Sequence, residues 1–364
     1  MMFRMSSLSQ KDIAQLAGVD QSAVSHALRG TGTLSQETRQ RILAICREHH
    51  YRPNAHARSL RTSDSRLIGV VTGTLSETYH AQMIHELTLA LMPHDYHLML
   101  RYCQRQAEAT VRQNQILSLL DKQAAGVVIA TYSYDLKDEI QQLAQAGIPL
   151  VMLGFSTGHI PSVAIDRFAA GQMVARHLMA IGCQNPMALM NPRKNIEEHR
   201  DKLFGFEQPF LEAGRPAPSR HPIDVGMDPY HAGYRAGRDL LREGNLPDGI
   251  FCESDDVASG LMRALLEGGI RIPDQVAIVG FDDTPNALHA PIPLSSVHQP
   301  FATMAQQAAA ILLEKIKPAG SRPNQSPDTG ADRTSQADSP PPAASDPPGL
   351  LPPRLIIRAS SQRG

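Results

Sequence analysis

The sequence predicts a small all-α head followed by a larger α/β body of two doubly wound parallel-sheet lobes. Three observations carry this prediction: the length of 364 residues, helical patterns without strands over residues 9–50, and an alternation of strands and helices that begins at Leu67. A chain of this length has room for two or three domains with cores of their own. We expect a head over residues 1–52, a connection over 53–66 and the body over 67–364.

The sequence of the head predicts three helices. The segment Asp12–Val19 has apolar residues on one side of a helix, and Gly18 is expected to end that helix. Asp20 and Ser35 are typical N-cap residues, so we expect the second and third helices to begin after them. Apolar residues are expected to pack these helices together: Ile13, Ala14, Leu16, Ala17, Val19, Val24, Leu28, Leu43 and Ile45.

The first two helices have the construction of a helix-turn-helix. A small residue in the first helix, Ala14, lets the second helix pack closely, and Gly18 permits the turn. Taken alone, these helices are also compatible with an ordinary helical hairpin with a polar face. Under the helix-turn-helix interpretation, base edges would be read by Gln21, Ser22 and His26. DNA phosphates would be contacted by Ser25, Arg29, Thr38, Arg39 and Asn54.

Charge supports a nucleic-acid partner for the head alone. Ten basic and five acidic residues up to Arg66 give it a net charge of +5, whereas the whole chain carries −1. A small basic domain attracts phosphates, and a mildly acidic body stays away from the duplex. The four cysteines form no CxxC pair, which predicts a reducing compartment, no disulfide framework and no metal site. We expect a cytoplasmic protein, because no signal peptide or membrane-spanning run is recognisable. No cofactor is expected.

The body predicts parallel sheets covered by helices. Residues 317–349 are rich in Pro, Ser, Asp, Gly and Ala and predict a disordered insertion, which Leu355–Ile357 follows as a last strand. The predicted strands are Leu67–Val71, His97–Arg101, Gly126–Ala130, Pro149–Leu153, Ser162–Ile165, Met187–Met190, Gly249–Cys252 and Gln275–Gly280. The predicted helices are Gln82–Leu91, Ala107–Leu120, Leu136–Ala146, Ala169–Ala180, His199–Ala213, Tyr230–Leu241 and Ala258–Glu267.

A joint pattern extends from the head into the connection. It comprises Asp12-Ile13-Ala14, Ala17-Gly18-Val19, Val24-Ser25, Thr38-Arg39, Tyr51-x-Pro53-Asn54 and Ala57-Arg58-Ser59-Leu60. With this pattern the sequence resembles the lactose repressor/galactose repressor family over essentially the whole chain except residues 317–349. The resemblance implies a sequence-specific transcription regulator, most often a repressor, with a body of periplasmic-binding-protein type. A small-molecule effector between the lobes would control the affinity for operator DNA.

The resemblance also implies a role for the connection. Its residues Ala57, Leu60 and Arg61 would enter the minor groove as a hinge helix that forms on operator DNA, with Leu60 as a wedge between base pairs. A plain linker with one incidental leucine is the alternative. Two positions depart from the family pattern: Asp20 stands where Ser is usual, and Ala23 replaces a common Thr. Operator preference therefore cannot be transferred from a relative.

For the effector site the resemblance points to Tyr79, His80, Asp166 and Asp255. The usual pocket Arg is replaced by Lys202, with Arg200 two residues earlier, so we name both. Asp255 at a strand end suits the hydroxyl donors of a sugar and also suits plain helix capping, whereas Asp282 and Asp283 are expected to serve loop geometry. A sugar or sugar-derived metabolite is the first expectation, with a sugar acid, polyol or nucleobase left open.

Other functional classes fit less well. The sequence has no G-x-S-x-G, Walker A, H-E-x-x-H or G-x-G-x-x-G motif, so an enzyme is not expected. A two-lobed solute-binding protein without a transcriptional role and a purine-responsive, corepressed regulator are the alternatives. The expected partners are a near-palindromic operator, the effector and a second copy of the chain, with a tetramer left open and no membrane. The sequence does not fix whether the effector induces or corepresses.

Overall fold

The structure is a computed structural model that describes residues 8–51, 65–73, 75–102, 109–131, 136–156, 160–191, 197–223, 228–316 and 350–363. The chain divides into two compact units, one up to Asp64 and one from Ser65 onward. The predicted insertion 317–349 and most of the predicted connection 53–66 lie outside the described residues.

The described residues of the first unit form three helices, α1 (Gln10–Ala17), α2 (Gln21–Arg29) and α3 (Gln36–Glu48). Ser9 begins α1 with a capping box, in which its hydroxyl accepts from the Asp12 amide (3.3 Å) and the Asp12 carboxylate accepts from the Ser9 amide (2.7 Å). Gly18 ends α1 in the left-handed conformation at φ +63°, as predicted. Ser35 caps α3 by accepting from the Thr38 amide. Asp20 is the N-cap residue of α2, as predicted, but within the described head its carboxylate makes no hydrogen bond to the first amides of that helix.

A small apolar core holds the three helices together. Its fully buried members are Ile13, Ala14, Ala17, Val24, Ala27, Ile42 and Cys46. Leu16 was expected in this core but is 52% exposed, because α1 buries the stripe of residues 13, 14 and 17 and position 16 lies beside it. In α3 the buried stripe runs through Ile42 and Cys46, so Leu43 and Ile45 only flank the core.

The second unit begins with a lobe built on a five-stranded parallel sheet of order β2-β1-β3-β4-β5. The strands are β1 (Leu67–Thr72), β2 (His97–Tyr102), β3 (Gly126–Ala130), β4 (Leu150–Leu153) and β5 (Ser162–Val163). The helices are α4 (Thr78–Leu91), α5 (Ala109–Asp121) and α6 (Lys137–Gln145), and a short 3-10 turn (Met92–His94) follows α4. The side chains of β3 alternate between the two sheet faces, as expected for a strand buried on both sides.

The other lobe is built on a six-stranded sheet of order β11-β10-β9-β8-β6-β7. Its strands are β6 (Pro186–Met190), β7 (Ser219–Pro222), β8 (Gly249–Cys252), β9 (Ala277–Asp282), β10 (Ser295–His298) and β11 (Arg354–Ile356). The helices are α7 (Arg167–Ala180), α8 (Glu197–Glu212), α9 (Pro229–Glu243), α10 (Asp255–Glu267) and α11 (Pro285–His289). A last helix, α12 (Phe301–Lys315), returns to the first sheet, where it packs against α4.

The chain passes between the lobes along neighbouring segments. Asp166 lies after β5, and its amide donates to the Leu351 carbonyl (2.9 Å), while the Leu351 amide donates to Ala164 (2.9 Å). Gln299 follows β10, and its amide donates to the Asp282 carbonyl at the end of β9 (3.2 Å). The last strand, β11, pairs antiparallel with β10, which confirms the strand predicted after residue 349. These connections hold the carboxyl ends of the two sheets on either side of one cleft.

Glycines allow the helices that flank the second sheet to approach closely. A Cβ on Gly205 of α8 would lie 2.1 Å from the Phe168 carbonyl oxygen of α7, and one on Gly171 would lie 2.2 Å from the Lys202 oxygen. Side chains at these positions would force the helices apart. The close packing of α7 on α8 therefore fixes where Lys202 enters the cleft.

Candidate nucleic-acid interface and ligand cleft

The outer face of α2 carries the predicted base-reading residues. Gln21 and Ser22 are exposed, and His26 is half-buried. Gln21 Nε2 lies 3.4 Å from Gln10 Oε1, and His26 Nδ1 lies 3.4 Å from Thr31 Oγ1. These are long contacts at the surface, so the polar groups of the face can exchange them for base edges.

The predicted phosphate-contacting residues that the structure describes lie on α2 and near the start of α3. Ser25 is half-buried on α2. Thr38 accepts or donates a 2.8 Å hydroxyl bond with Ser35, and Arg39 Nη2 donates to the Thr31 carbonyl (3.2 Å). The Arg29 side chain lies outside what the structure describes, as do Asn54, Ala57, Leu60 and Arg61.

A cleft lies between the two lobes at the carboxyl ends of their strands. Open α/β sheets bind ligands at this edge. The cleft is lined by Glu77, Tyr79, Arg167, Lys202, Pro229, Glu253, Ser254, Asp256, Phe281 and Asp282.

Two cations lie against one aromatic ring in this cleft. Lys202 is 1% exposed, and its Nζ donates to the Glu253 carbonyl (2.7 Å) and lies 4.1 Å from the Phe281 ring centroid. The Arg167 guanidinium carbon lies 5.4 Å from the same centroid, and its Nη2 donates to the Gly154 carbonyl (3.0 Å). Burial lowers the pKa of Lys202 to about 8, against the opposing attraction of Glu253. The ring and the carbonyl oxygens compensate part of the cost of burying these charges.

Asp282 is the buried carboxylate beside these cations. It ends β9 with a φ of +108° and accepts from Gln299 Nε2 (2.7 Å). Burial raises the pKa of Asp282 to about 7, although Lys202 and Arg167 oppose the shift. Asp282 thus lines the cleft in addition to shaping the loop, the role expected from its sequence. Asp283 has only the loop role, because it pairs with His298 (2.8 Å) and Arg358 (2.6 Å).

Only some of the residues predicted for the effector site line the cleft. Tyr79 and Lys202 line the cleft. His80 is buried behind the loop after β1, where its Nδ1 lies 3.4 Å from Thr72 Oγ1, and burial lowers the pKa of its ring to about 4. Asp166 caps α7 by accepting from the Ala169 amide (2.8 Å), and Arg200 is exposed beside Phe204.

Asp255 also lies behind the lining. It is fully buried at the start of α10, where it accepts from the Thr284 amide (2.7 Å), the Thr284 hydroxyl (3.1 Å) and the Ser296 hydroxyl. These bonds tie α10 to the loop after β9 and to β10. The neighbouring carboxylate, Asp256, lines the cleft instead. A role for Asp255 in direct ligand contact stays a prediction.

Sequence reasoning did not single out several lining residues. Arg167 directly follows the predicted Asp166, and Phe281 precedes Asp282, which was expected only to shape a loop. Glu77 lies two residues before the predicted Tyr79, and Glu253 lies two residues before the predicted Asp255. The signal available for all of these was their position at a strand end.

None of the helices in the described parts of the chain is long and apolar enough to cross a membrane.

Comparison with known proteins matches both units. A family profile described as bacterial regulatory proteins, lacI family, matches residues 9–54. A second, described as periplasmic binding proteins and sugar binding domain of the LacI family, matches residues 65–338. The HTH-type transcriptional repressor PurR of Haemophilus influenzae (strain PittEE) is 29% identical over 309 residues, which cover 84% of this chain and 90% of the relative.

Solved structures show the same fold. The lac repressor dimer bound to operator and the anti-inducer ONPF has a TM-score of 0.78 at 23% identity, covering 98% of this chain and all of the other. The transcriptional regulator CelR in complex with cellobiose has a TM-score of 0.63 at 23% identity, covering 97% of this chain and 99% of the other. These matches confirm the predicted fold class, a helical head and two parallel-sheet lobes. The family profiles and the PurR relative confirm the interpretation as a DNA-binding regulator with an effector-binding domain and not an enzyme.

Proposed function

The chain belongs to the lacI family of bacterial regulatory proteins, and on that premise we propose that it is a cytoplasmic homodimeric repressor whose affinity for a near-palindromic operator is set by a sugar or sugar-derived metabolite. The observation that carries the proposal is the exposed polar face of α2 on a compact three-helix core. A helix presented in this way fits the major groove of DNA.

In the proposed complex, two heads occupy successive major grooves of the operator. Gln21, Ser22 and His26 read base edges, of which the Gln21 amide suits bidentate bonding to adenine. Ser25 and Thr38, together with Arg39, contact phosphates and thereby fix the register of the head. Arg39 donates from one guanidinium nitrogen to the Thr31 carbonyl (3.2 Å), which restricts the position of its side chain.

The remaining positions of the DNA interface rest on the family resemblance. Arg29 and Asn54 add phosphate contacts, and Ala57, Leu60 and Arg61 enter the minor groove at the operator centre. An apolar wedge such as Leu60 unstacks a base step, and the bent duplex then gains further contacts with the protein. Changing Leu60→Ala is expected to weaken specific binding and to spare salt-sensitive, non-specific binding. An equal loss of both would contradict the wedge.

We place the effector in the interlobe cleft. Tyr79 and Phe281 offer aromatic surface, and Asp256 and Glu253 offer acceptors for the hydroxyl groups of a sugar. Lys202 offers a donor that is already held by a backbone carbonyl. A structure of the same fold, CelR, is a complex with cellobiose, which supports a carbohydrate as the class of ligand.

The proposed switch is a linkage between cleft and head. A metabolite that binds one orientation of the lobes more tightly than another shifts the population of the two, and the operator affinity changes by the same coupling free energy. A coupling of about 3 kcal/mol would change the affinity for the operator more than a hundredfold.

Operator recognition is tested by selecting duplexes from the bacterium's own genomic DNA on the purified full-length protein. The proposal predicts enrichment of a near-palindromic sequence. Gln21→Ala should relax the preference at one position of each half-site by about 1–3 kcal/mol. Gln40→Ala, an exposed glutamine on α3, is the matched control and should leave the preference unchanged. Random sequence after selection would contradict the proposal.

Effector binding is tested by a thermal-shift screen of neutral sugars, polyols, sugar acids and purines. A ligand at a hundred times its Kd should raise the melting temperature by roughly 5–10 °C, because it stabilises the folded state by about 2.7 kcal/mol. Lys202→Met should reduce this shift, whereas Lys137→Met, an exposed lysine on α6, should retain it. A shift produced only by purines would contradict a sugar effector and favour the purine-responsive alternative. A shift that Lys202→Met leaves intact would place the effector site outside this cleft.

A further inference from the structure

One hydrogen-bonded cluster joins the two lobes beside the cleft. The Asp256 carboxylate, on α10 of the second lobe, accepts from the backbone amide of Thr78 (3.0 Å) and from its hydroxyl (2.9 Å). Thr78 is the first residue of α4 in the other lobe. Asn286 of α11 completes the cluster, because its Nδ2 donates to the Thr78 hydroxyl (2.8 Å) and to Asp256 (3.2 Å).

The geometry makes this contact more than a chance surface pair. The first amides of a helix have no acceptor within the helix, so the Thr78 amide needs a partner from outside α4. Asp256 supplies one, and it lies in the first turn of its own helix as well. A single carboxylate is therefore placed at two helix N-termini, where the helix dipoles favour negative charge.

The cluster is also continuous with the ligand cleft. Asp256 lines the cleft, as do Glu77 and Tyr79, the two residues that flank Thr78. A molecule bound in the cleft would therefore contact the chain on both sides of Thr78 and the carboxylate that holds it. Because Asp256 belongs to both, a molecule that occupies the cleft would also affect the hydrogen bonds of the cluster.

We propose that Thr78, Asp256 and Asn286 form a latch that holds the two lobes in one relative orientation while the cleft is empty. This inference rests on the proposed function, since the latch would set the resting state from which an effector shifts the regulator. A hydroxylated ligand offers Asp256 new donors and thereby competes with Thr78 for the same oxygens. The hydrogen bonds of the latch are therefore the first contacts that a bound ligand would change.

Hydrogen exchange at the Thr78 amide reports the latch directly. In the effector-free full-length protein, Asp256→Ala removes the only acceptor that the structure gives this amide among its described residues, so its exchange should become about tenfold faster or more. Asn286→Ala changes an exposed side chain and removes only supporting bonds, so it should give a smaller acceleration. Asp228→Ala is the matched control, because this carboxylate caps α9 within one lobe by accepting from the His231 amide (3.0 Å).

The orientation of the lobes is measured in the same proteins by the distance between two spin labels. Labels are attached at Asp138→Cys on α6 and Glu212→Cys on α8, both exposed, after Cys103→Ser in every protein. The latch predicts a shifted or broadened distance distribution for Asp256→Ala and an unchanged one for Asp228→Ala. These proteins are diluted with unlabelled chain so that distances within one subunit are measured.

The outcomes separate the latch from the proposed function, because neither measurement uses DNA or an effector. Unchanged Thr78 exchange in Asp256→Ala, or an unchanged label distance, would overturn the latch whatever DNA the protein binds. If Asp256→Ala does not reach the wild-type fold by circular dichroism, Asn286→Ala decides by the same criteria. Faster exchange together with an altered distance supports the latch even if the protein selects no operator.

Discussion

The burial of His80 makes the stability of the body depend on pH in a defined direction. The ring is 5% exposed at the start of α4, and burial lowers its pKa to about 4 from the usual 6.5. In the unfolded chain the ring takes up a proton below about pH 6.5, whereas in the folded protein it resists protonation until about pH 4. The free energy of unfolding is therefore highest above pH 6.5 and falls as the pH is lowered towards 4. The difference corresponds to about 3 kcal/mol, at about 1.4 kcal/mol for each tenfold change in proton affinity.

Urea unfolding of the full-length protein at several values of pH between 4 and 7.5 measures this dependence. His80→Phe keeps an aromatic ring edge-on to Tyr79 (5.1 Å between centroids) and removes the titrating group. Burial raises the pKa of Asp255 and of Asp282, and these groups stabilise the fold as the pH falls, so the informative quantity is the difference between wild type and His80→Phe. His85→Gln, on the exposed side of α4, is the control. If the wild-type protein loses no more stability than His80→Phe between pH 7 and 4, the burial of His80 does not cause the pH dependence.

The remaining predictions concern packing, the buried carboxylate and the pH dependence of ligand binding. Gly205→Ala should destabilise the body by about 1–3 kcal/mol in urea, since its Cβ would lie 2.1 Å from the Phe168 oxygen, and an unchanged midpoint would contradict the close helix packing. Asp255→Ala should cost about 1–3 kcal/mol because the buried Thr284 amide loses its acceptor, and retained stability with lost ligand response would instead favour direct ligand contact. Lys202 has a pKa of about 8, so raising the pH from 7 to 9 should change the affinity for a ligand identified by thermal shift, and calorimetric titration at both values would show it. An affinity that is flat over that range would exclude a charge role for Lys202.

Most of the fold follows from local patterns in the sequence. Continuous apolar runs predicted the buried strands, and the predicted bounds of Gly126–Ala130 and Gly249–Cys252 agree with the structure. The strand Ser219–Pro222 was not predicted, because an edge strand of sequence Ser-Arg-His-Pro has no apolar alternation. The strand Ser295–His298 was not predicted either, because its short and largely polar sequence is buried only by tertiary contacts.

The cleft was less accessible to sequence reasoning, because a strand end fixes the neighbourhood of a residue but not the direction of its side chain. Asp255 and Asp256 are adjacent and chemically identical, yet one faces Thr284 and the other faces the cleft. Lys202 and Arg200 were equal candidates, and the rotation of α8 decides between them by burying one and exposing the other. Helix phase of this kind depends on packing across the whole lobe, which periodicity alone does not specify.

Sequence reading by the head under control of the cleft is tested most directly by measuring how the full-length protein binds two duplexes of equal length. One duplex is selected from its own genome and the other is scrambled, and both are measured at physiological salt with and without a metabolite found by thermal shift. Sequence reading by the head predicts at least a thousandfold preference for the selected duplex. It further predicts that the metabolite changes the affinity for that duplex alone. Equal affinity for both duplexes at every metabolite concentration would contradict the claim that the head reads sequence under control of the cleft.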